Sequence, residues 1–459
     1  MRKMKYNSIC MQISFCGGIA GMKQRITMFV WNYFTYDARV MRECSALAKS
    51  GNEVTLIALH NISDKNNAER EEKNGFNIIR VNKGIPVINK GYRLFSRILK
   101  NKVVSAAMAA LFVAFVALMF VFCLPVAIVA LSLAALFVLS IFLKAPKRLA
   151  NLGAILRMIR IGRKTNADIY HANDLNTLPQ AYICAKLFRL RRNKKKIVYD
   201  SHEVQTSRTG YGKGIYTIEK FFVKRVDKIF CENNTRASYM AELYKMDLPT
   251  ALYNYPEYFD LRKAQSVDLR RELDITEDCP ILLYQGGIQY GRGLDVLVRA
   301  IPHIKKGIVV FIGDGKFKPE LLKLIKQYGV EDRVRLMGMV PMAELAGYTL
   351  NAYLGFQILN NVCFNHYSAA SNKLFEYIMA GVPVIAADFP EFRRVVDKYK
   401  VGVLVDSHDY KSIADAVNYL VSDEPFRNEL SENCYEAAKM LNWDNHKEEF
   451  IEEYAKVVV

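Results

Sequence analysis

The feature that most constrains this chain is a rhythm of short β-rich runs, each followed by a helical stretch, that occurs twice with a proline-bearing break between. In the first series ITMFVW (26–31) and EVTLIAL (53–59) flank a helical pattern over 38–50 that Gly51 ends. A third strand over 77–81 follows, then ADIYHAN (167–173), a helix over 178–190, KIVYDSH (196–202), a helix over 219–225 and KIFCEN (228–233). Strands that alternate with helices give a mostly parallel sheet covered by helices. Residues 246–256, with Pro249 and Pro256, read as a linker. The second series runs ILLYQGG (281–287), a helix over 294–304, IVVFIGDG (308–315), a helix over 319–328, VRLMG (334–338), a helix after Pro341 and AYLGFQI (352–358). A helix and strand over 371–387, the strand GVLVDS (402–407) and helices from Tyr410 complete it. The chain of 459 residues is too long for one core, so two domains are expected. The expected bounds are an extension over 1–21, a first domain over 22–250, a second over 257–430, and closing helices over 431–459 that pack back toward the first. Two doubly wound domains in tandem set a cleft between the carboxyl ends of their strands, where ligands of such sheets bind.

One segment interrupts the rhythm. Residues 103–143 are 41 positions without a charge, VVSAAMAALFVAFVALMFVFCLPVAIVALSLAALFVLSIFL. One span takes about 20 residues, so this reads as two linked spans, or as a hydrophobic helical hairpin that enters and leaves on one side, turning near Pro125. Residues 83–102 and 144–164 flank it with Lys and Arg and no acid. Positive charge on both sides of an even number of crossings places both soluble parts on the cytoplasmic face of the membrane.

Charge divides the chain the same way. Residues 1–250 hold 40 Lys and Arg against 16 Asp and Glu, whereas residues 251–459 hold 24 against 30. An anionic membrane or a phosphorylated ligand accounts for a basic half of this kind. No Lys/Arg-plus-aromatic surface of a nucleic-acid module is found, so nucleic acid is not an expected partner. Nine cysteines lie scattered without paired or metal-like spacing, as in a reducing compartment. The first 21 residues start basic but have no uninterrupted apolar core, and do not read as a cleaved leader.

The stretch SNKLFEYIMAGVPVIAA (371–387) poses a chemical question, because its apolar helix keeps an acid, Glu376, one turn from the start. With LLYQGGIQYGRGLDVLVRAI (282–301), IVVFIGDGKFKPELLKLI (308–325), YDARVMRECSALAKSGNEVTLIAL (36–59), DIYHANDLNTLPQAYICAKL (168–187) and KIVYDSHE (196–203), the order of segments resembles the retaining glycosyltransferases of family 4. That resemblance implies the two-Rossmann architecture called GT-B, here with the hydrophobic hairpin inserted in the first domain. It implies a nucleotide-sugar donor, a UDP- or GDP-sugar, bound by the second domain. A diphosphate carries about two negative charges, and a helix N-terminus with small residues before it offers N–H groups and a positive dipole end. Ser371 and Asn372 form such a start, Lys373 adds a counter-charge, and Glu376 would accept the ribose hydroxyls. Gly286, Gly287 and Gly313 let backbone approach the phosphates, and Arg292 matches the family's basic residue there. The bland alternatives are a surface Glu on an amphipathic helix and an ordinary strand-to-helix turn.

On the first-domain side the resemblance implies sugar or acceptor contacts from His171, Asn173, Asp174, His202 and Glu203. Of these, His171 and Glu203 are the catalytic candidates, without either being assigned as a base. The family's donor helix begins its Glu-x7-Glu pattern eight residues before Glu376, where this chain has Ser368, also a candidate sugar contact. The position after the first loop glycine, usually basic in the family, is Gly287. No Asp-x-Asp segment ends a strand and no His/Cys set has metal spacing, so neither a metal nor another cofactor is expected. The expected reaction is sugar transfer to a lipid-linked, polyprenyl-diphosphate acceptor in surface-polysaccharide assembly, such as lipopolysaccharide of the cell envelope. A catalytically degenerate membrane scaffold and a soluble-acceptor transferase are the competing readings.

Overall fold

The computed structural model describes residues 23–457, apart from 36, 62–63, 65–66, 84–109, 111–113, 115–144, 187–194, 209–211, 213, 261–266, 277 and 342–343. In the first domain β1 (Arg25–Phe29), α1 (Ala38–Lys49), β2 (Glu53–His60), β3 (Arg70–Lys73) and β4 (Phe76–Asn82) lead into α2 (Ala145–Thr165). Then come β5 (Ile169–Asn173), α3 (Leu178–Lys186), β6 (Lys196–Ser201), α4 (Gly214–Val223), β7 (Lys228–Cys231), α5 (Asn234–Tyr244) and β8 (Thr250–Ala251). They build an eight-stranded sheet of order β3-β4-β2-β1-β5-β6-β7-β8. Every pair is parallel except β3 with β4. β1 is in register with β2 (Met28 opposite Leu56) and β5 (Met28 opposite His171), which aligns the carboxyl ends of the central strands at one edge.

The second domain follows the same logic through β9 (Ile281–Gln285), α6 (Leu294–Ala300), β10 (Ile308–Ile312), α7 (Lys318–Gln327), β11 (Val334–Met337) and β12 (Leu354–Gln357). It continues with α8 (Phe364–Tyr367), α9 (Asn372–Met379), β13 (Val384–Ala387), α10 (Pro390–Tyr399), β14 (Gly402–Val405), α11 (Tyr410–Ser422), α12 (Glu424–Ala438) and α13 (Trp443–Ala455). Its six strands are all parallel, in the order β11-β10-β9-β12-β13-β14. Residues such as Ile281, Leu282, Leu283, Val309, Val310 and Leu354 are fully buried, because helices cover both faces of the sheet. The expected pair of doubly wound α/β domains is therefore present.

Each sheet packs two apolar layers. In the first domain α2, α3, α4 and α5 cover one face around Phe29, Tyr170, Met158 and Tyr199. α1 covers the other around Met28, Leu56 and Cys44, together with Trp443, Phe450 and Tyr454 of α13. α12 stays with the second domain, where Ser431 donates to the Gly381 carbonyl at 2.5 Å and Cys434 joins the core. Only α13 crosses back, so the crossing falls near residue 440.

The expected hairpin over 103–143 lies outside the described residues except for Ala110 and Ala114, which are helical and exposed. Among the described residues no helix is long and apolar enough to cross a membrane. The extension over 1–21 also lies outside them. Several described elements were not expected. α2 occupies what reads in sequence as a basic flank, α5 is polar, and β3 is the charged run REEK. The β3–β4 turn is Asn74-Gly75, both with positive φ (51° and 82°), the pairing that a tight hairpin prefers.

Because α13 completes the first domain's core, Phe450→Ala should cost about 3–5 kcal/mol there. Hydrogen exchange is expected to speed up in β1, β5 and β7 while β9 and β10 stay protected; unchanged β7 protection would contradict this assignment of α13.

Candidate functional site between the two sheets

The segments that follow β6 and β7 face those that follow β9 and β12, with the start of α9, across a cavity of about 600 Å³. On the second-domain side, β9 ends at Gln285, whose Nε2 donates to Glu376 Oε2 at 2.7 Å; the Oε1 of Gln285 accepts from Thr349 Oγ1 at 2.8 Å. Tyr377, next to Glu376, donates to the Leu283 carbonyl (3.0 Å) and accepts from the Gln285 amide (3.1 Å). α9 is thereby pinned to β9, with Glu376 held at the sheet edge. Burial raises the Glu376 carboxyl, opposed by the Gln285 hydrogen bond and by Lys373.

α9 starts at Ser371, which has extended backbone (φ −72°, ψ 136°) and makes no side-chain cap. Its first N–H groups therefore point to the cavity without a partner from that side chain. Asn372 Oδ1 accepts from Asn254 Nδ2 at 2.8 Å. Lys373 lies with Nζ 5.1 Å from the Tyr284 ring centroid, and burial, aided by Arg292, lowers its ammonium to about 7. Gly286 and Gly313 have φ of 115° and 145°, and a Cβ on Gly313 would collide with the Gly286 carbonyl, so close strand-to-loop packing requires glycine there. Arg292 lines the cavity and Gly287 lies in the same loop.

On the first-domain side the candidates separate. His202 and Glu203 line the cavity. Burial alone would lower the His202 imidazole, but Asp200 at 2.8 Å, with Asp174 nearby, outweighs it and holds His202 protonated to about pH 10. Glu203 pairs with Arg208 at 3.1 Å. Asp174, in left-handed backbone (φ 64°), accepts from the His202 amide at 3.3 Å, and burial raises its carboxyl.

His171, Asn173 and Ser368 do not reach the cleft surface. His171 is wholly buried on β5, its Nδ1 3.0 Å from the Tyr454 hydroxyl, and burial lowers it to about 3. Strand alternation turns its ring toward α13. Asn173 donates to the Phe29 carbonyl at 3.1 Å. Ser368 is also fully buried; its hydroxyl donates to the Phe364 carbonyl (2.7 Å) and accepts from Arg236 Nε (3.1 Å). The position of the expected sugar contact is thus occupied by a bond between the two domains.

Arg236 extends that bond. It donates to the carbonyls of His202 (2.6 Å) and Asn365 (2.9 Å) and pairs with Glu232. The Asn365 side chain accepts from the Val204 amide (2.8 Å) and donates to its carbonyl (3.1 Å). Sequence reading missed Arg236, Asn365, Gln285 and the buried Arg39–Asp200 pair. Only Asp200 carried a signal, as a charge inside an apolar parallel strand.

Among the described residues, Glu43, His171 and Asp200 place ligand-type atoms within 4.8 Å of one another, a spacing a metal ion accepts. Arg39 sits on this group, bonded to both Asp200 oxygens (2.7 and 2.8 Å) and 3.0 Å from Glu43. Burial and Asp200 raise the Glu43 carboxyl to about 8, so Arg39 and a proton on Glu43 balance the charge. A second cavity, about 490 Å³, opens beside the first and is lined by Asn32, Tyr33, Asp37, His202, Asn254 and Asn372. His202 borders both.

Residues 266–439 match the family model "Glycosyl transferases group 1". The chain is 31% identical over 193 residues to D-inositol 3-phosphate glycosyltransferase of Xylanimonas cellulosilytica, covering 41% of this chain and 45% of that one. It is 24% identical over 288 residues to N-acetyl-alpha-D-glucosaminyl L-malate synthase of Bacillus anthracis, covering 61% and 72%. The chain spans about half the length of the first curated relatives it matches, 45% and 55%. In fold it is similar to Anabaena HepE, solved with UDP and glucose, at a TM-score of 0.65 and 12% identity over 94% of this chain and 100% of that one. The GT-B arrangement of two Rossmann-like domains is shared with that protein.

The depressed Lys373 gives a pH signature. Below about pH 7 its ammonium is already charged; above it the free protein holds the neutral amine, which a diphosphate would recharge. Binding of UDP or GDP at pH 8 should take up nearly one proton, and affinity should fall as pH rises from 7 to 9. Calorimetry in buffers of different ionisation enthalpy reads this, and Lys373→Met should abolish the uptake.

Proposed function

We propose that this protein is a glycosyltransferase that takes a sugar from a nucleotide-sugar donor, a UDP- or GDP-sugar, and passes it to an acceptor hydroxyl in the cleft. The observation that carries the reading is the set on β9 and α9: an uncapped helix start with Lys373 and Arg292 lining the cavity, and Glu376, one turn further along α9, held by Gln285. The group 1 match over the second domain and the transferase names of the relatives support the same class of enzyme. Charged donors in a site screened from water stabilise a departing diphosphate strongly. Transfer with retention fits a leaving diphosphate that itself accepts the acceptor proton. His202, a cation at the border of both cavities, and Glu203 are the first-domain groups facing that exchange; His171 supports them from below through the packing of β5.

For the acceptor, we propose a lipid-linked sugar at the cytoplasmic face of the membrane, in surface-polysaccharide assembly. The uncharged run over 103–143 and its basic flanks support this placement. A second reading, a small soluble acceptor, is favoured by the inositol phosphate and malate in the relatives' names. Donor panels offered with extracted polyprenyl-diphosphate glycans, inositol phosphates and malate, read by mass spectrometry, decide between them. Glycosylation of only the soluble compounds would discard the lipid-linked acceptor.

Glu376→Ala removes charge-assisted hydrogen bonds of about 1.5–3 kcal/mol, so donor kcat/KM should drop about 10- to 100-fold. Nucleotide release in purified protein reads it, and unchanged turnover would sink the assignment. A merely degenerate scaffold predicts no thermal shift with UDP or GDP, whereas a working site filled at 100 times Kd is stabilised by about 2.7 kcal/mol.

A further inference from the structure

The helical layer on one side of the first sheet has an outer surface that is both apolar and basic. α2 exposes Leu149, Leu152 and Leu156, each between 50% and 57% accessible. Steps of three and four residues put them on one stripe of the helix, and Arg160 and Arg163, both exposed, continue that stripe toward its C-terminal end. α4 adds Ile218 and Phe221, at 49% and 45%. Arg225 lies over the Phe221 ring at 4.0 Å, and Tyr182 of α3 packs against the same ring with centroids 5.9 Å apart. α3 therefore joins the two apolar patches into one face.

The charge of this face is one-sided. α2, α3 and α4 together carry eight Lys and Arg and a single carboxylate, Glu219. That carboxylate points inward, 2% accessible, and accepts from the hydroxyls of Tyr199 and Tyr244 at 2.7 Å each. In the opposite layer α13 is acidic, with Asp444, Glu448, Glu449, Glu452 and Glu453 against Lys447, beside the more basic α1. The uncharged run ends at residue 143, two positions before α2 begins, and the three exposed leucines lie in the first turns after it.

We propose that the α2–α3–α4 face docks flat on an anionic lipid bilayer, with Leu149, Leu152, Leu156, Ile218 and Phe221 entering the acyl boundary and the Lys and Arg side chains at the phosphate level. A helix with an apolar stripe and a cationic surround binds the interface in this way, and long basic side chains keep their heads in the polar layer. Nucleic acid would use the cations but not the exposed leucines. The proposal rests on the membrane placement given above and adds which face meets the lipid; it is independent of the transfer chemistry.

The test uses the full chain with benzoylphenylalanine in place of Leu152 or Phe221, and in place of Leu322, an equally exposed leucine of the second domain, as control. Each protein is mixed with vesicles of phosphatidylethanolamine and phosphatidylglycerol, floated, irradiated and analysed by mass spectrometry for lipid adducts. Adducts at 152 and 221 but not at 322 are expected. The triple change Leu149→Gln, Leu152→Gln and Leu156→Gln should reduce the adduct at 221 by about tenfold. Protein that floats but yields no more adduct at 152 and 221 than at 322 overturns the docking face while leaving the membrane placement intact. Protein that does not float overturns both, and cross-links at 152 and 221 to nucleic acid or a second copy of the chain in place of lipid overturn the docking face. Donor binding is measured separately by the thermal shift with UDP or GDP, so failure of the transferase reading is distinguishable from either result.

Discussion

The first domain's half of the cleft depends on one buried ion pair. Arg39 of α1 donates through Nε and Nη2 to the two oxygens of Asp200 on β6, and through Nη1 to the Leu252 carbonyl just after β8. One guanidinium thus fixes a helix, a central strand and the exit toward the second domain. Removing either partner of such a pair leaves an uncompensated buried charge, which is why the two must occur together. Asp200 also orients His202 at the cleft border, so the same carboxylate that anchors α1 keeps a cation where the two cavities meet. Glu43, a turn along α1, is held in its neutral form up to about pH 8, and so does not cancel that cation.

The two halves of the cleft differ in how their charges are satisfied. In the first domain Arg208 and Arg236 are paired with Glu203 and Glu232. In the second, neither Arg292 nor Lys373 forms an ion pair among the described residues, and burial together with Arg292 lowers Lys373 to about 7 against the pull of Glu376. Two basic side chains with one carboxylate, Glu376, near them leave room for an anion at the start of α9. The demand for an anion therefore lies with α9 and the glycine loop. The first domain offers instead a balanced, polar wall joined to the segment before α9 through Arg236, Ser368 and Asn365.

Much of this was legible in the sequence, for reasons that differ by element. Parallel strands buried on both sides leave uninterrupted apolar runs, so β9, β10 and β13 stand out. The α9 side of the cleft was legible because its polar residues are local: Ser371 to Glu376 lie within two turns of one helix. The first-domain side of the cleft is assembled from residues distant in sequence, and there a motif does not say which side of a strand faces the cleft. His171, on a central strand, turns to α13, whose arrival from nearly 300 residues later cannot be read locally. Ser368 was read as facing a sugar, yet Arg236 from the other domain reaches it first. β3 is charged and escapes an apolar search, although the Asn74-Gly75 turn beside it was readable. α2 was hidden because its exposed leucines break the amphipathic pattern by which a covering helix is recognised.

That break also bears on how substrates would reach the cleft. In a doubly wound domain the covering helices run alongside the strands, so a surface resting on α2, α3 and α4 lies parallel to β1, β5 and β6. The cleft opens at the carboxyl ends of those strands, and its mouth would then stand edge-on to the surface rather than facing it. A soluble donor would enter from the side of the second domain, which holds 22 Lys and Arg against 25 Asp and Glu over residues 251–439 and which a negatively charged surface would not attract. An acceptor held in the surface would instead approach laterally, past the segment over Asn32–Asp37 that lines the second cavity. The division of charge thus has a geometric counterpart: the basic face lies on α2, α3 and α4, on the side of the first sheet away from α13, whose acids face the other way.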